Sequence, residues 1–159
     1  MSDLIIKNGQ CYVEGELKNV DVAVSDKKIQ KIGQISEKAE NVIDAKGLTV
    51  LPGCIDTQTH FREPGSTDTE DLHSGSRAAV AGGITAVFEM PNTNPPTSTK
   101  KEFQRKLDLA KNRMYCNYAF YFGATADNGN ELAELKNLEG CCGIKLFAGS
   151  STGNLLVAD

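Results

Sequence analysis

The alternation of apolar and polar positions changes character near residue 50. Before it, apolar runs are short and broken by turn residues. Leu4-Ile5-Ile6 precedes Asn8-Gly9, Val20 to Val24 alternates with polar residues, and Ile29 to Ile35 surrounds Gly33. That spacing predicts antiparallel strands and hairpins over residues 1–50, a β-strand segment of a small sandwich and too short for a comfortable sheet domain alone. After Pro52 the pattern becomes strands alternating with helices over 51–159, which favours a parallel sheet covered by helices.

Four such units can be read. Val50 to Ile55 is a buried strand. Thr67-Asp68-Thr69-Glu70 has capping-box spacing, with Leu72, Ala79 and Val80 following at helical intervals until Gly82-Gly83. Ile84 to Met90 is the second strand. Thr99-Lys100-Lys101-Glu102 repeats the capping pattern, and Phe103, Leu107, Ala110 and Met114 share one helical face. Tyr115 to Phe122 is the third strand, a helix carries Leu132, Leu135 and Leu138, and Cys142 to Phe147 is the fourth. Gly149-Ser150-Ser151-Thr152-Gly153 then forms a polar loop at that strand's carboxyl end. Four strand-helix units are half of an α/β barrel of the (β/α)8 type, whose usual length is about 250 residues. The chain is therefore expected to be the amino-terminal portion of a longer barrel protein, since a half barrel leaves two open parallel edges.

Composition narrows the function classes. Of the 159 residues 40% are hydrophobic, enough for a core, and the formal net charge is −4 with Lys interspersed among Asp and Glu. There is no basic stripe for nucleic acid and no polybasic patch for a membrane. No apolar run approaches the ~20 residues of a span, so a soluble cytoplasmic protein acting on small molecules is expected. The five cysteines include no Cys-x-x-Cys pair and read as reduced, mostly buried small hydrophobes.

Candidate chemistry falls at predicted strand ends, where barrel enzymes place it. In Leu51-Pro52-Gly53-Cys54-Ile55-Asp56-Thr57-Gln58-Thr59-His60-Phe61-Arg62-Glu63-Pro64-Gly65, strand alternation puts Gln58, His60 and Arg62 on one face. Asn92 lies in the turn Glu89-Met90-Pro91-Asn92-Thr93-Asn94-Pro95. Lys145 sits among apolar neighbours in Gly143-Ile144-Lys145-Leu146-Phe147, where an ammonium must be neutralised, paired or modified. Asp56 and Glu89 are its candidate partners. Arg62 could pair with Glu63 or Asp71, and Asn92 could simply build its turn. His73, early in an outer helix, is expected to face solvent.

These motifs resemble the amidohydrolase superfamily, and within it the dihydroorotase branch, whose usual run has two histidines flanking one residue, then an arginine and Pro-Gly. Here Gln58 occupies the first histidine position, and its amide offers a more weakly basic donor than imidazole. The resemblance implies a cyclic amidohydrolase that interconverts N-carbamoyl-aspartate and dihydroorotate, with hydantoinases and allantoinases as relatives. It implies one or two Zn²⁺ held by His60, by Lys145 in carboxylated form and, weakly, by Gln58, with Arg62 and Asn92 on the substrate carboxylate. The family's later histidine ligands and its general-base aspartate would come from strands beyond residue 159, so the chain is expected to be inactive alone. Implied partners are a carboxylate-bearing small molecule, a second copy of the chain, or aspartate carbamoyltransferase, the last as the setting for a non-catalytic role that Gln58 would suit.

Overall fold

Short, interrupted apolar runs give an amino-terminal unit, Met1–Pro52, made only of strands in this computed structural model, which describes residues 1–150 and 155–157. Its strands are β1 (Ser2–Lys7), β2 (Gln10–Val13), β3 (Glu16–Asn19), β4 (Asp21–Ser25), β5 (Lys28–Gly33), β6 (Ala39–Asp44) and β7 (Thr49–Val50). They form one sheet of order β5-β4-β1-β6 and another of order β3-β2-β7. The expectation of antiparallel hairpins holds for β1–β4, β4–β5 and β2–β3, but β1 pairs with β6 and β2 with β7 in parallel. Long-range return strands close each sheet, which local turn signals cannot reveal. A small core of Ile5, Ala23 and Ile35 holds the larger sheet, and Asp21 fixes the chain around it by accepting from the backbone N–H groups of Asn8 and Ile35.

The second unit, Gly53–Asp159, carries β8 (Cys54–Thr59), α1 (Leu72–Ala81), β9 (Ile84–Glu89), α2 (Lys100–Ala110), β10 (Asn117–Gly123), α3 (Gly129–Ala133), a 3₁₀ turn (Leu135–Asn137) and β11 (Cys141–Lys145). Its strands are all parallel in the order β11-β10-β9-β8, the arrangement that successive strand-helix units produce. The core lies between sheet and helices and is built on Phe61, Leu72, Val87, Phe103, Phe120 and Phe122. Phe103 stacks on Phe122 and meets Phe120 edge-on, so α2 is anchored by aromatic burial worth roughly 2–3 kcal/mol per ring.

Several boundaries differ from the sequence reading. The first barrel strand begins at Cys54 rather than Val50, because Val50 pairs with Cys11 in the other unit's sheet and Pro52-Gly53 interrupts the run. Helix α1 is capped not from Thr67 but by Asp71, whose carboxylate accepts from Ser74 N at 2.6 Å while Ser74 Oγ accepts from Asp71 N at 3.1 Å. Thr99 does cap α2, accepting from Glu102 N. The third helix is only five residues, yet Leu132, Leu135 and Leu138 all still pack on the core. Of the cysteines, Cys11 and Cys116 are buried, Cys141 and Cys142 half-buried and Cys54 exposed. His73 is exposed and meets Tyr115 edge-on. The expected polar loop falls partly outside the described residues, at Ser151, Thr152 and Gly153. No described helix is long and apolar enough to cross a membrane.

Candidate active site

Phe61 determines which way its neighbours point. Its ring is buried against the helix side of the sheet, so alternation turns His60 and Arg62 to the other side. Gly75 of α1 leaves room for that ring, since a β-carbon there would lie 2.5 Å from Phe61 Cδ1. Gln58 lies inside β8 and is exposed, with its backbone N–H held by Asp56 Oδ1 at 2.9 Å where the register against β9 shifts.

The segment after β9 folds back toward this strand end. Met90 N donates to Thr59 O, and Thr93 N and Thr97 N both donate to Pro91 O, each at 2.9 Å. Asn94 N donates to Pro64 O at 2.9 Å, joining the two loops. The result is a cleft of about 420 Å³ lined by Arg62, Pro64, Ser66, Asn92, Thr93, Asn94 and Pro96. Gly65 at the bend adopts φ +125°, and any β-carbon there would crowd Asn94 at 3.0 Å.

Asn92 joins the metal-type and anion-type residues. Its Oδ1 lies 2.9 Å from His60 Nδ1, and because a carbonyl oxygen only accepts, Nδ1 carries the proton. Nε2, the other ring nitrogen, makes no hydrogen bond among the described residues. Asn92 lines the same cleft as Arg62.

Arg62 is exposed and makes no ion pair among the described residues. The alternative pairing with Glu63 or Asp71 is overturned, because both belong to Arg113. Arg113 forks Glu63 at 2.7 and 3.0 Å and lies 3.6 Å from Asp71. Glu63 also accepts from Leu72 N at 2.9 Å, capping α1 from a distant loop. Glu63 raises the pKa of the Arg113 guanidinium through this pairing.

Lys145 ends β11, half-buried, with its ammonium 5.0 Å over the Phe147 ring. Neither Asp56 nor Glu89 pairs with it among the described residues. Glu89 instead pairs with Lys106, a fully buried lysine that the sequence reading passed over. Burial pushes the Glu89 carboxyl up to about 8 despite Lys106 and Arg62, and burial likewise lowers Lys106. A signal existed: Lys106 falls between Phe103 and Ala110 on the buried face of α2, and Glu89 ends an apolar strand.

The donor set does not make a metal centre by itself. Among the described residues no three His, Cys, Asp or Glu side chains gather. His60 Nε2 is one good donor, while Gln58 offers an amide and Lys145 an amine, with no anionic oxygen among them. Neither Gln58 nor Lys145 lines the Arg62–Asn92 cleft.

Comparison with known proteins adds the following. The model of the amidohydrolase family matches residues 49–144. An allantoinase from Salmonella choleraesuis (strain SC-B67) is 43% identical over 146 residues, covering 91% of this chain and 32% of its own length. A dihydroorotase from Methanosarcina mazei is 38% identical over 161 residues, covering 100% of this chain and 35% of its own. Among solved structures, the L-hydantoinase of Arthrobacter aurescens superposes with a TM-score of 0.90 at 29% identity, covering all of this chain and 36% of that one. The chain thus spans about a third of the length of the curated relatives it matches.

Proposed function

Because the chain belongs to the amidohydrolase family, hydrolases of cyclic amides that generally bind metal ions, we propose that it is the substrate-carboxylate half of a dihydroorotase-type site. The single observation that carries this reading is the cleft in which Arg62, with no ion pair among the described residues, stands beside Asn92, itself bonded to His60. A guanidinium gives a carboxylate two parallel N–H donors, and Asn92 Nδ2 adds a third. With its carboxylate so held, dihydroorotate would keep its ring toward Nε2 of His60. That nitrogen could accept a proton or a coordinate bond.

Zinc, one ion or two, is the metal that the resemblance implies, but Gln58 and unmodified Lys145 do not fit it. The chain by itself is therefore proposed to be catalytically silent. Allantoin or a hydantoin as the ring is a second reading, favoured by the 43% identity to an allantoinase. A non-catalytic role beside aspartate carbamoyltransferase is a third, favoured by Gln58. Titration calorimetry distinguishes the substrate classes. Arg62→Gln is expected to lower dihydroorotate affinity about tenfold, the loss of roughly one charge-assisted hydrogen bond at an exposed site, and to leave 5,6-dihydrouracil unaffected. Equal losses for both ligands would overturn the carboxylate assignment.

A further inference from the structure

We propose that Lys106 is a positioning residue: from the buried face of α2 it holds the turn that carries Asn92, and through Asn92 it sets the tautomer of His60. The side chain is fully buried and reaches through the helix layer to the end of β9. There its ammonium pairs with Glu89, donates to Met90 O at 3.0 Å and lies 5.2 Å over the Phe120 ring.

Stability alone gives no reason to bury this charge. Replacing a buried ion pair by well-packed apolar residues is often neutral or stabilising, and Phe103 and Ala110 show that the surrounding face of α2 is apolar. What a methionine could not supply is an N–H for Met90 O. That carbonyl lies two residues before Asn92, and the Met90 N–H is already committed to Thr59 O at 2.9 Å. Met90 is thus pinned between β8 on one side and α2 on the other, and Pro91 O receives Thr93 N and Thr97 N immediately afterwards. Asn92 consequently leaves a backbone fixed from both directions, with Oδ1 2.9 Å from His60 Nδ1. Glu89 completes the device by giving the ammonium a counter-charge on the helix side, where it pairs in register with Thr59.

The test uses the full chain and the variants Lys106→Met and Glu89→Gln/Lys106→Met. The double variant removes both buried charges and so leaves neither uncompensated. Long-range ¹⁵N–¹H spectra of the two histidines, assigned with His73→Gln, read the tautomer directly. Wild type is expected to carry its His60 proton on Nδ1, and the double variant to move it largely to Nε2. Dihydroorotate affinity should fall about fivefold, roughly the worth of one neutral hydrogen bond. Leu72→Ala, which truncates the same core layer, should lower stability but change neither readout. A double variant that keeps the Nδ1 proton and wild-type affinity would overturn the positioning role. The affinity readout rests on the carboxylate reading above, but the tautomer does not. Failure of wild type to bind dihydroorotate would overturn that reading while the spectra still judged Lys106.

Discussion

Separating Glu89 from Lys106 should produce stability profiles of opposite pH slope. Glu89 has its folded-state pKa raised from 4.5 to about 8, chiefly by burial. Between those values the folded protein holds a proton that the unfolded chain has released, so stability falls as pH rises. Lys106, lowered from 10.5 also by burial, releases its proton at a lower pH than the unfolded chain does, so across that interval, which ends at about 10.5, its contribution rises with pH. In wild type the two trends oppose each other. In Lys106→Met the carboxyl is alone. At about 1.4 kcal/mol per pH unit within the 4.5-to-8 window, the variant should lose as much as roughly 4 kcal/mol over the three units between pH 5 and pH 8. Glu89→Gln should instead gain stability with rising pH. Two nearby groups share this environment: Arg62 favours the Glu89 carboxylate, and Cys142, pushed up to about 11, titrates above the window. Urea unfolding at half-unit pH intervals measures both slopes, starting near pH 5 where a protonated Glu89 leaves Lys106→Met without a buried charge. A flat or rising profile for Lys106→Met would refute the assignment of Glu89 as a desolvated carboxyl held by its lysine.

Two further outcomes follow from the geometry. Gly75→Ala puts a β-carbon 2.5 Å from the Phe61 ring, so it should destabilise the unit by roughly 1–3 kcal/mol in thermal unfolding and shift the His60 resonances, because Phe61 sets the direction of both neighbours. Gln58→His should raise zinc affinity of the chain by about an order of magnitude or more, measured by competition with a chromophoric chelator, since it adds a second imidazole beside Nε2 of His60.

The order of elements could be read from the sequence because parallel strands covered by helices are written as short apolar runs between amphipathic stretches. That Gln58, His60 and Arg62 share a face follows from simple alternation, whereas the burial of Phe61 in the core is visible only in the structure. Tertiary partners were not readable. The start of β8 was misplaced because its polar residues Asp56, Thr57 and Gln58 look unlike a strand, while Val50 looks like one but pairs elsewhere. The α1 cap was misplaced because several Thr and Asp residues compete locally, and the choice is made by Glu63, nine positions earlier, which takes the Leu72 N–H. Lys106 escaped notice because a lysine on a helix normally reads as solvent-facing. Only the aromatic face around it and the acid ending β9 mark it as internal. The Asn92–His60 bond combined two residues that the sequence reading had assigned separate tasks.

The central claim is that Arg62 and Asn92 form a carboxylate site, and the most direct measurement compares two ligands that differ only in that group. Calorimetry of the unmodified chain with dihydroorotate and with 5,6-dihydrouracil should show at least about a tenfold preference for dihydroorotate, weakening as salt is raised because Arg62 is exposed. Equal affinity for the two rings, or a preference that does not change with salt, would contradict it.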